Sequence, residues 1–362
     1  MSQYVGANAV PHPYWQVLYN GVDITASLKD YVVKIIYEDC KGKQASTIEL
    51  QYADPNYVMQ NNPPNIGSTI QLLIGYQGGP LYNCGEFEID QYGLKGPPDI
   101  FCVYGIEAGI TTPLRTPNTM GYEGKTLTQI AQIIASKHGL TLVSDAVSPD
   151  VTYDRITQMQ ETDVNFLHRI ANQAGYDFNI RGSKLVFYSR AALDASPPVG
   201  SIVRSQLLKF DLMWQSLAKP TYQAAQISYV DPKTGDTIVG IAGDPSASPA
   251  DTIKSQERVK NQQEANLKAA VMLYTHNMGK LGNTLKLPGT MAFRAGNTAN
   301  ISGFGIFDKF TYALDKIRHT LNEYGWVTEL CIRNVVQVAG TDLNSSYYTD
   351  TPEQADELDP GT

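Results

Sequence analysis

The sequence lacks the short motifs that carry common catalytic and cofactor-binding chemistry. Its 362 residues contain no phosphate-binding loop with its lysine, no GxSxG nucleophile motif, no HExxH zinc motif and no EF-hand loop. The five histidines are scattered along the chain: His12, His138, His168, His276 and His319. The sequence therefore predicts no catalytic residue, no metal site and no cofactor.

Cysteine is also scarce, and its spacing is uninformative. Cys40, Cys84, Cys102 and Cys331 form no CxxC pair. Free thiols in a reducing compartment are therefore favoured over disulfides or metal ligation. No apolar run approaches the roughly 18 residues that a membrane span needs, and the N-terminus has no basic-then-apolar signal segment. We expect a soluble chain that is not exported.

Basic residues do not outnumber acidic ones either, since the formal net charge is −8. Residues 1–110 carry 5 basic and 11 acidic side chains, and residues 340–362 carry 6 acidic side chains and no basic one. Binding to duplex DNA rests on Lys and Arg that neutralise phosphates. The acidic balance argues against a surface that grips nucleic acid.

Alternating apolar and polar residues are plentiful towards both ends of the chain. About six strands are predicted between residues 15 and 108, with Asn20-Gly21 as a hairpin turn, and short turns between them favour a sandwich or barrel. Later strands are predicted at 206–214, 221–230, 237–241, 290–294, 309–315 and 326–336. A long helix is predicted from Lys254 to Asn277, and the last 22 or so residues predict a disordered acidic tail.

One predicted strand is strongly acidic on one face. In the segment from Gly85 to Asp90, Phe87 and Ile89 face one side, and Glu86, Glu88 and Asp90 face the other. A solvated strand face is the favoured interpretation. An acidic row that lines a channel is an alternative, and a carboxylate pair for acid–base chemistry is the least favoured.

The middle of the chain, residues 124–188, predicts two capped helices and a hairpin. Thr126 and Gln129 fit a capping box, and an apolar stripe follows up to Gly139. Thr162 and Asp163 suit the start of a second helix, which Gly175 ends. Two strands then flank a turn at residues 181–183. His168 and Arg169 are interpreted as helix-surface or interface residues and His319 as a structural hydrogen-bonding residue, rather than as catalytic groups.

The second helix and its lead-in resemble the late-control gene D family of phage tail proteins. The segment from Gln158 to Gly175 reads Gln-x-Glu-Thr-Asp-x-x-Phe-Leu-x-Arg-Ile-Ala-x-x-x-Gly, similar to the signature of that family. The signature residues are Gln160, Glu161, Thr162, Asp163, Phe166, Leu167 and Arg169. Near the C-terminal end, Leu287-Pro288-Gly289-Thr290 and Gly325-Trp326 resemble the closing domain of these proteins. The resemblance covers about residues 12–340.

This resemblance implies an α+β chain that is mainly β. Two tube-like β-barrel domains would flank a central α+β domain, and three chains would form a ring-shaped trimer. The implied boundaries are 1–110 for the first tube-like domain, 111–195 for the central domain with two helices and a hairpin, 196–340 for the second tube-like domain with a long helix, and 341–362 for an acidic flexible tail.

The resemblance also implies a structural hub of a contractile-tail baseplate, and no enzyme. Such a hub adapts the six-fold tail tube to a trimeric spike and forms part of the central channel, with Glu86, Glu88 and Asp90 as candidate channel-lining residues. The implied partners are the homotrimer itself, tail tube, spike and baseplate wedge proteins and the tape measure protein. The genome would pass without specific binding, and no membrane anchoring is expected.

The implied location is the virion tail baseplate, assembled in the bacterial cytoplasm. Three alternatives stay open: the hub part of a type VI secretion spike, a tail-associated cell-wall hydrolase and a host-side binding module.

Overall fold

A computed structural model gives the structure of residues 11–42, 45–109, 114, 116–144, 150–213, 222–230, 234–277 and 283–335. The predicted tail at 341–362 lies outside these residues. Strands outnumber helices, so the prediction of a mainly β chain is confirmed.

The strands are β1 Pro13–Tyr19, β2 Val22–Asp23, β3 Val32–Cys40, β4 Thr47–Ala53, β5 Thr69–Tyr76, β6 Leu81–Lys95, β7 Ile100–Glu107, β8 Pro117–Thr126, β9 Thr141–Ser144, β10 Thr152–Thr162, β11 Tyr176–Arg181, β12 Lys184–Ser189, β13 Ser201–Val203, β14 Lys209–Asp211, β15 Ala224–Val230, β16 Thr237–Gly243, β17 Thr252–Gln256, β18 Asn283–Pro288, β19 Thr298–Ser302, β20 Thr311–Asn322 and β21 Gly325–Asn334. The α-helices are α1 Thr25–Leu28, α2 Val58–Asn61, α3 Leu127–Lys137, α4 Asp163–Ala174, α5 Arg190–Asp194 and α6 Gln262–Asn277.

One sheet of thirteen strands contains strands from both ends of the chain. Its main path runs β14-β18-β21-β20-β3-β4-β7-β6-β5-β1-β2, and β19 and β13 extend from β20. The two halves meet where β20 pairs antiparallel with β3, from Lys316 opposite Cys40 to Asn322 opposite Lys34. Among the described residues this path is open and closes into no barrel.

The two faces of this sheet differ in polarity because side chains alternate along each strand. On β20, Ile317, His319 and Leu321 are buried, whereas Arg318 and Thr320 between them are more exposed. Two apolar clusters lie on the buried face. The first is built mainly from β1 and β3–β7, and the second from β18–β21.

A central unit, formed by β8–β12 and α3–α5, has its own apolar cluster. The predicted capping box at Thr126 and Gln129 is confirmed, as are the cap at Thr162 and the left-handed Gly175. The segment before α4 differs from the prediction. It forms strand β10, which pairs antiparallel with β8.

A further α/β layer, the α6 unit, lies between β14 and β18 in the chain. It comprises β15–β17 and α6 (residues 224–277), and the helix packs on the three-stranded sheet around Ala225, Ile227 and Leu273. The predicted helix start at Lys254 is wrong. Residues 252–256 form β17, parallel to β15, and the helix begins at Gln262. Thr252 and Ile253 are β-branched, which favours a strand.

Two other expectations can be compared with the structure. The predicted strand at 290–294 is wrong, because this segment is a loop that follows β18.

All four cysteines are free thiols, as expected, and Cys40, Cys84 and Cys102 are buried. In the part of the chain that the structure describes, no helix has both the length and the apolar character of a membrane span.

Candidate functional site

The three acidic residues of the predicted channel lining lie on one face of β6. Phe87 and Ile89 are buried on the opposite face, while Glu86 and Asp90 are exposed and Glu88 is half-buried. The strand bulges at Asp90, where its pairing with β7 shifts by one residue. A bulge redirects the side chain that it carries.

The same polar face continues across the junction between the two halves of the sheet, where its charges are paired. Glu38 on β3 binds Lys316 at 2.6 Å and Arg318 at 2.9 Å, both on β20. Beyond β20, Glu329 on β21 binds Lys286 on β18 at 3.1 Å. By contrast, none of the ion pairs among the described residues involves Glu86, Glu88 or Asp90. Negative charge is therefore left uncompensated at the β6 end of this face.

A shallow depression of about 200 Å³ lies on this face, and its lining includes Glu38, Glu49, Asp90, Tyr104 and Arg318. Small-molecule sites usually enclose roughly 300–1,000 Å³. This depression is smaller and is part of an open sheet surface, so it suits contact with another surface. Within the described ranges, no group of three or more His, Cys, Asp or Glu side chains is placed to hold a metal ion.

Asp163 is the most buried charged residue of the family-like signature. Its carboxylate accepts hydrogen bonds from Lys137 Nζ at 2.7 Å and Gln158 Nε2 at 2.8 Å, and lies 2.7 Å from His138 Nε2. Burial alone would raise the pKa of Asp163, but the hydrogen bonds from Lys137, Gln158 and His138 outweigh it and hold the pKa below its usual range. This carboxylate joins the end of α3 to the start of α4.

The residues just before Asp163 form a strained bulge. Gln160 has a φ of +51°, which is uncommon for a residue other than glycine, and its backbone N–H donates to Thr119 Oγ1 at 3.2 Å. The Gln158 side chain donates to the Glu161 carbonyl at 2.8 Å across the bulge. The bulge turns β10 into α4, where Thr162 Oγ1 accepts from the Asn165 N–H at 3.1 Å.

Glu161 and Arg169 form the outer part of the same network. Arg169 Nε lies 2.9 Å from Glu161 Oε1, and Arg169 Nη2 donates to the Thr157 carbonyl at 3.1 Å. The guanidinium also lies 5.2 Å from the centre of the Phe166 ring, which stacks on Tyr122. All of these contacts lie inside the central unit, so capping, ion pairing and packing account for the signature without catalysis.

His319 is a buried core residue in the interior of β20. Its Nδ1 lies 3.1 Å from Thr328 Oγ1, and its ring stacks on Tyr37 with 5.6 Å between centroids. Burial, with a smaller contribution from the positive charge of Arg294, lowers the pKa of His319 to about 3. The ring is therefore neutral at ordinary pH, which fits a structural hydrogen bond.

A buried ionic cluster centred on Asp194 was not found by sequence reasoning. Its Oδ1 lies 2.6 Å from Arg333 Nη2 and 3.1 Å from Lys41 Nζ, and its Oδ2 accepts from the Tyr274 hydroxyl at 2.5 Å. Asp315 binds the same guanidinium at 2.9 Å. Burial alone would raise the pKa of Asp194, but Arg333, Lys41 and Tyr274 hold it below its usual range. These partners are 80 to 153 residues away in the chain, so no local pattern marks them.

The fold is that of phage tail proteins. A tail protein from Neisseria meningitidis superimposes with a TM-score of 0.67 over 92% of this chain and 99% of its own, at 15% identity. The 43 kDa tail protein of prophage MuSo2 from Shewanella oneidensis gives 0.66 over 88% and 98%, also at 15% identity. A type VI secretion component, the E. coli c3393 protein, gives 0.51 over 86% and 75%, at 10% identity.

Sequence comparison gives a more particular relationship. The chain is 27% identical over 176 residues to the probable baseplate hub protein of Escherichia phage 186, and 25% identical over 175 residues to that of phage P2. The matches cover 48% of this chain and 44% and 45% of these relatives, so the chain spans less than half of their length. No protein-family model matches the chain.

Proposed function

We propose that this chain is a structural baseplate hub protein of a phage tail or of a phage-like contractile particle, with no catalytic role. The observation that carries the proposal is the agreement in fold with solved tail proteins over about nine-tenths of the chain. The relatives named as baseplate hubs narrow this class to the hub. The signature network supports a structural role, because its polar groups are used in contacts within the chain.

In the proposed assembly, three chains form a ring. Each contributes a tube-like β domain at 1–110 and a second at 196–340, so three copies present six similar domains to the six-fold tail tube. The central domain at 111–195 lies between them in the chain, and the trimeric spike docks below. The continuous sheet that joins β3 to β20 supports this arrangement, because it fixes the two β regions of one chain rigidly to each other.

The same proposal assigns the acidic face of β6 to the lumen of the ring. A polar sheet face carries uncompensated negative charge at Glu86, Glu88 and Asp90. These negative charges repel the negatively charged phosphates of DNA. DNA would slide past this surface without binding to it. A particle reconstruction that places these carboxylates on the outer surface of the ring would contradict this assignment.

The partners of such a hub are the tail tube, spike and wedge proteins, and the tape measure protein. Its location is the baseplate of the virion tail, after assembly in the bacterial cytoplasm. No membrane anchoring is part of the proposal.

The test is the oligomeric state of the purified chain mixed with its spike protein. Multi-angle light scattering should give the mass of three copies of this chain in the complex. A strictly monomeric species in that mixture contradicts the hub function, and clearing of cell walls in a zymogram would contradict the absence of catalysis.

A second candidate is the hub part of a type VI secretion spike, which the likeness to the c3393 protein favours. Both candidates predict a trimer, so the genes that neighbour this one discriminate between them. Capsid and terminase genes indicate a phage, whereas the membrane-complex genes of a secretion system indicate a type VI spike.

A further inference from the structure

One buried carboxylate of the central unit receives bonds from both the thirteen-stranded sheet and the α6 unit. Asp194 belongs to α5 of the central unit and is only 5% exposed. Lys41 directly follows β3, Arg333 lies on β21, and Tyr274 lies on α6. Each of these three side chains ends on an oxygen of Asp194, at 3.1, 2.6 and 2.5 Å respectively.

We infer that Asp194 is an electrostatic lock that fixes the thirteen-stranded sheet, the central unit and the α6 unit in one relative orientation. A hydrophobic contact between units tolerates small rotations, since it is non-directional. Charge-assisted hydrogen bonds are short and directional, so three of them from three directions onto one carboxylate specify an orientation.

The charges of the cluster balance, which allows them to be buried. The side chains of Lys41 and Arg333 are each about 7% exposed, and Asp194 and Asp315 supply two compensating negative charges. Removal of one member of a buried ion cluster leaves the opposite charge without a partner in a low-dielectric interior, which is strongly unfavourable. With Asp194 neutralised, Lys41 and Arg333 would lose a buried counter-charge, and the sheet that carries both of them would move away from α5 until water reached the two cations.

The α6 unit depends most on this lock. Its contacts with the central unit include Val271, packed against Gly175, and an exposed ion pair of 3.0 Å between Lys260 and Asp154. Exposed ion pairs contribute little to stability. Among these three contacts, the hydrogen bond from the buried Tyr274 hydroxyl to Asp194 Oδ2 is the one that is both buried and directional. The Tyr274→Phe variant removes this hydroxyl alone and keeps the ring.

The test compares the full chain with Asp194→Asn, and uses Asp163→Asn as the matched control. Asp163 is also a buried, multiply bonded carboxylate, but all of its partners lie inside the central unit. Spin labels are placed at Gln263→Cys on α6 and Tyr324→Cys on the β20–β21 turn, in a Cys331→Ser background. Both labelled positions are exposed. Pulsed electron resonance then measures the distribution of distances between the α6 unit and the sheet.

We expect one narrow distribution for the unaltered lock and for Asp163→Asn, and a broadened or shifted distribution for Asp194→Asn. Tyr274→Phe should broaden it as well, and it keeps the test decisive if Asp194→Asn does not fold. The inference is overturned if the distance distribution stays narrow in folded Asp194→Asn or Tyr274→Phe. It is also overturned if the distribution of the Asp163→Asn control broadens as much as that of Asp194→Asn.

The lock concerns the orientation of units within one chain and the proposed hub function concerns the assembly of three chains, so the two are measured separately. If the unaltered chain forms no trimer with its spike, the hub proposal fails while the distance measurement still decides the lock. If trimers form and the Asp194→Asn distribution is narrow, the lock fails and the hub proposal stands.

Discussion

At the scale of single residues, Gly289 shows how closely the two halves of the chain are packed. A Cβ atom at this position would lie 2.0 Å from the Trp326 ring. The Gly289 carbonyl accepts from the Tyr76 hydroxyl at 2.8 Å, and Tyr76 packs on Trp326 with 5.0 Å between ring centres. Gly289 and Trp326 come from the C-terminal half of the sheet and Tyr76 from the N-terminal half. The absence of a side chain at 289 lets these surfaces meet.

We therefore expect Gly289→Ala to destabilise the protein by about 1–3 kcal/mol, the usual cost of overpacking a filled core. Chemical denaturation measures this loss. Gly200→Ala is the matched control, because nothing lies within 4 Å of its added Cβ, and its effect should stay within about 0.5 kcal/mol. Equal stabilities of the two variants would contradict the close approach at Trp326.

Asp163 gives a residue-scale prediction that depends on pH. Its folded-state pKa lies below the usual value, so its contribution to stability is present above the ordinary Asp pKa and is lost as the pH falls through the lowered pKa. Asp163→Asn should cost about 3 kcal/mol at pH 7, because it breaks a buried ion cluster. The loss should shrink in acid.

Urea midpoints measured from pH 7 down to pH 2 test this dependence. The parent protein and the variant should converge at the acid end. A difference that stays constant over the whole pH range would show that the carboxylate charge is not what stabilises the α3–α4 junction.

At the scale of elements, the caps of the central helices carry a local prediction. Thr162 Oγ1 satisfies one of the free N–H groups at the start of α4. Thr162→Ala should destabilise the protein by about 1 kcal/mol, whereas Thr162→Ser keeps the hydroxyl and should lie close to the parent. Thermal unfolding of the three proteins measures this ranking. A Ser variant as unstable as the Ala variant would mean that the methyl group, and not the cap, matters.

Helix α4 and the start of α3 could be predicted from the sequence because their signals are local. Caps, a closing glycine and an apolar stripe all lie within a few turns of each other. Strand β10 is not predicted because the residues on both sides of Ile156 are polar, which hides the alternation of a strand. Its pairing partner, strand β8, lies about 35 residues earlier in the chain. Helix α6 is predicted too long because its predicted start includes the residues of β17. That strand is stabilised by pairing with β15 rather than by its own pattern of apolar and polar residues.

At the scale of the whole molecule, the acidic face of β6 leads to a prediction about DNA. If the chain forms the proposed ring, the triple variant Glu86→Lys, Glu88→Lys and Asp90→Lys should bind DNA there, with an affinity that falls steeply as salt increases. Its folding stability should be nearly unchanged, since these side chains are exposed or half-buried and make no ion pair within the described ranges. Fluorescence anisotropy of labelled DNA at several salt concentrations measures the effect.

Glu323→Lys, an exposed substitution on the turn between β20 and β21, is a control for added positive charge. DNA binding by this control equal to the binding by the triple variant would contradict a lumenal position of the β6 carboxylates. Both proteins must first be shown to assemble, so that the comparison concerns the ring and not the free chain.

The sequence predicts the acidic strand and the β-rich character of both ends of the chain. It does not predict that strands from the two ends pair in one sheet. Alternation along β3 and β20 predicts two strands and says nothing of their pairing, because the partners lie about 280 residues apart. The Asp194 cluster escaped for the same reason. Long-range contacts of this kind depend on the whole fold, and one sequence shows only the residue types that enter them.

The pairing of β3 with β20 also determines the order of events during synthesis. At roughly 5–20 residues per second, β3 leaves the ribosome on the order of 15–60 seconds before its partner exists. During that interval one side of β3 is an unpaired edge, a template for pairing with other chains. The central unit can fold in the meantime, but the sheet is completed last. We expect the newly made N-terminal half to be the part most dependent on chaperones.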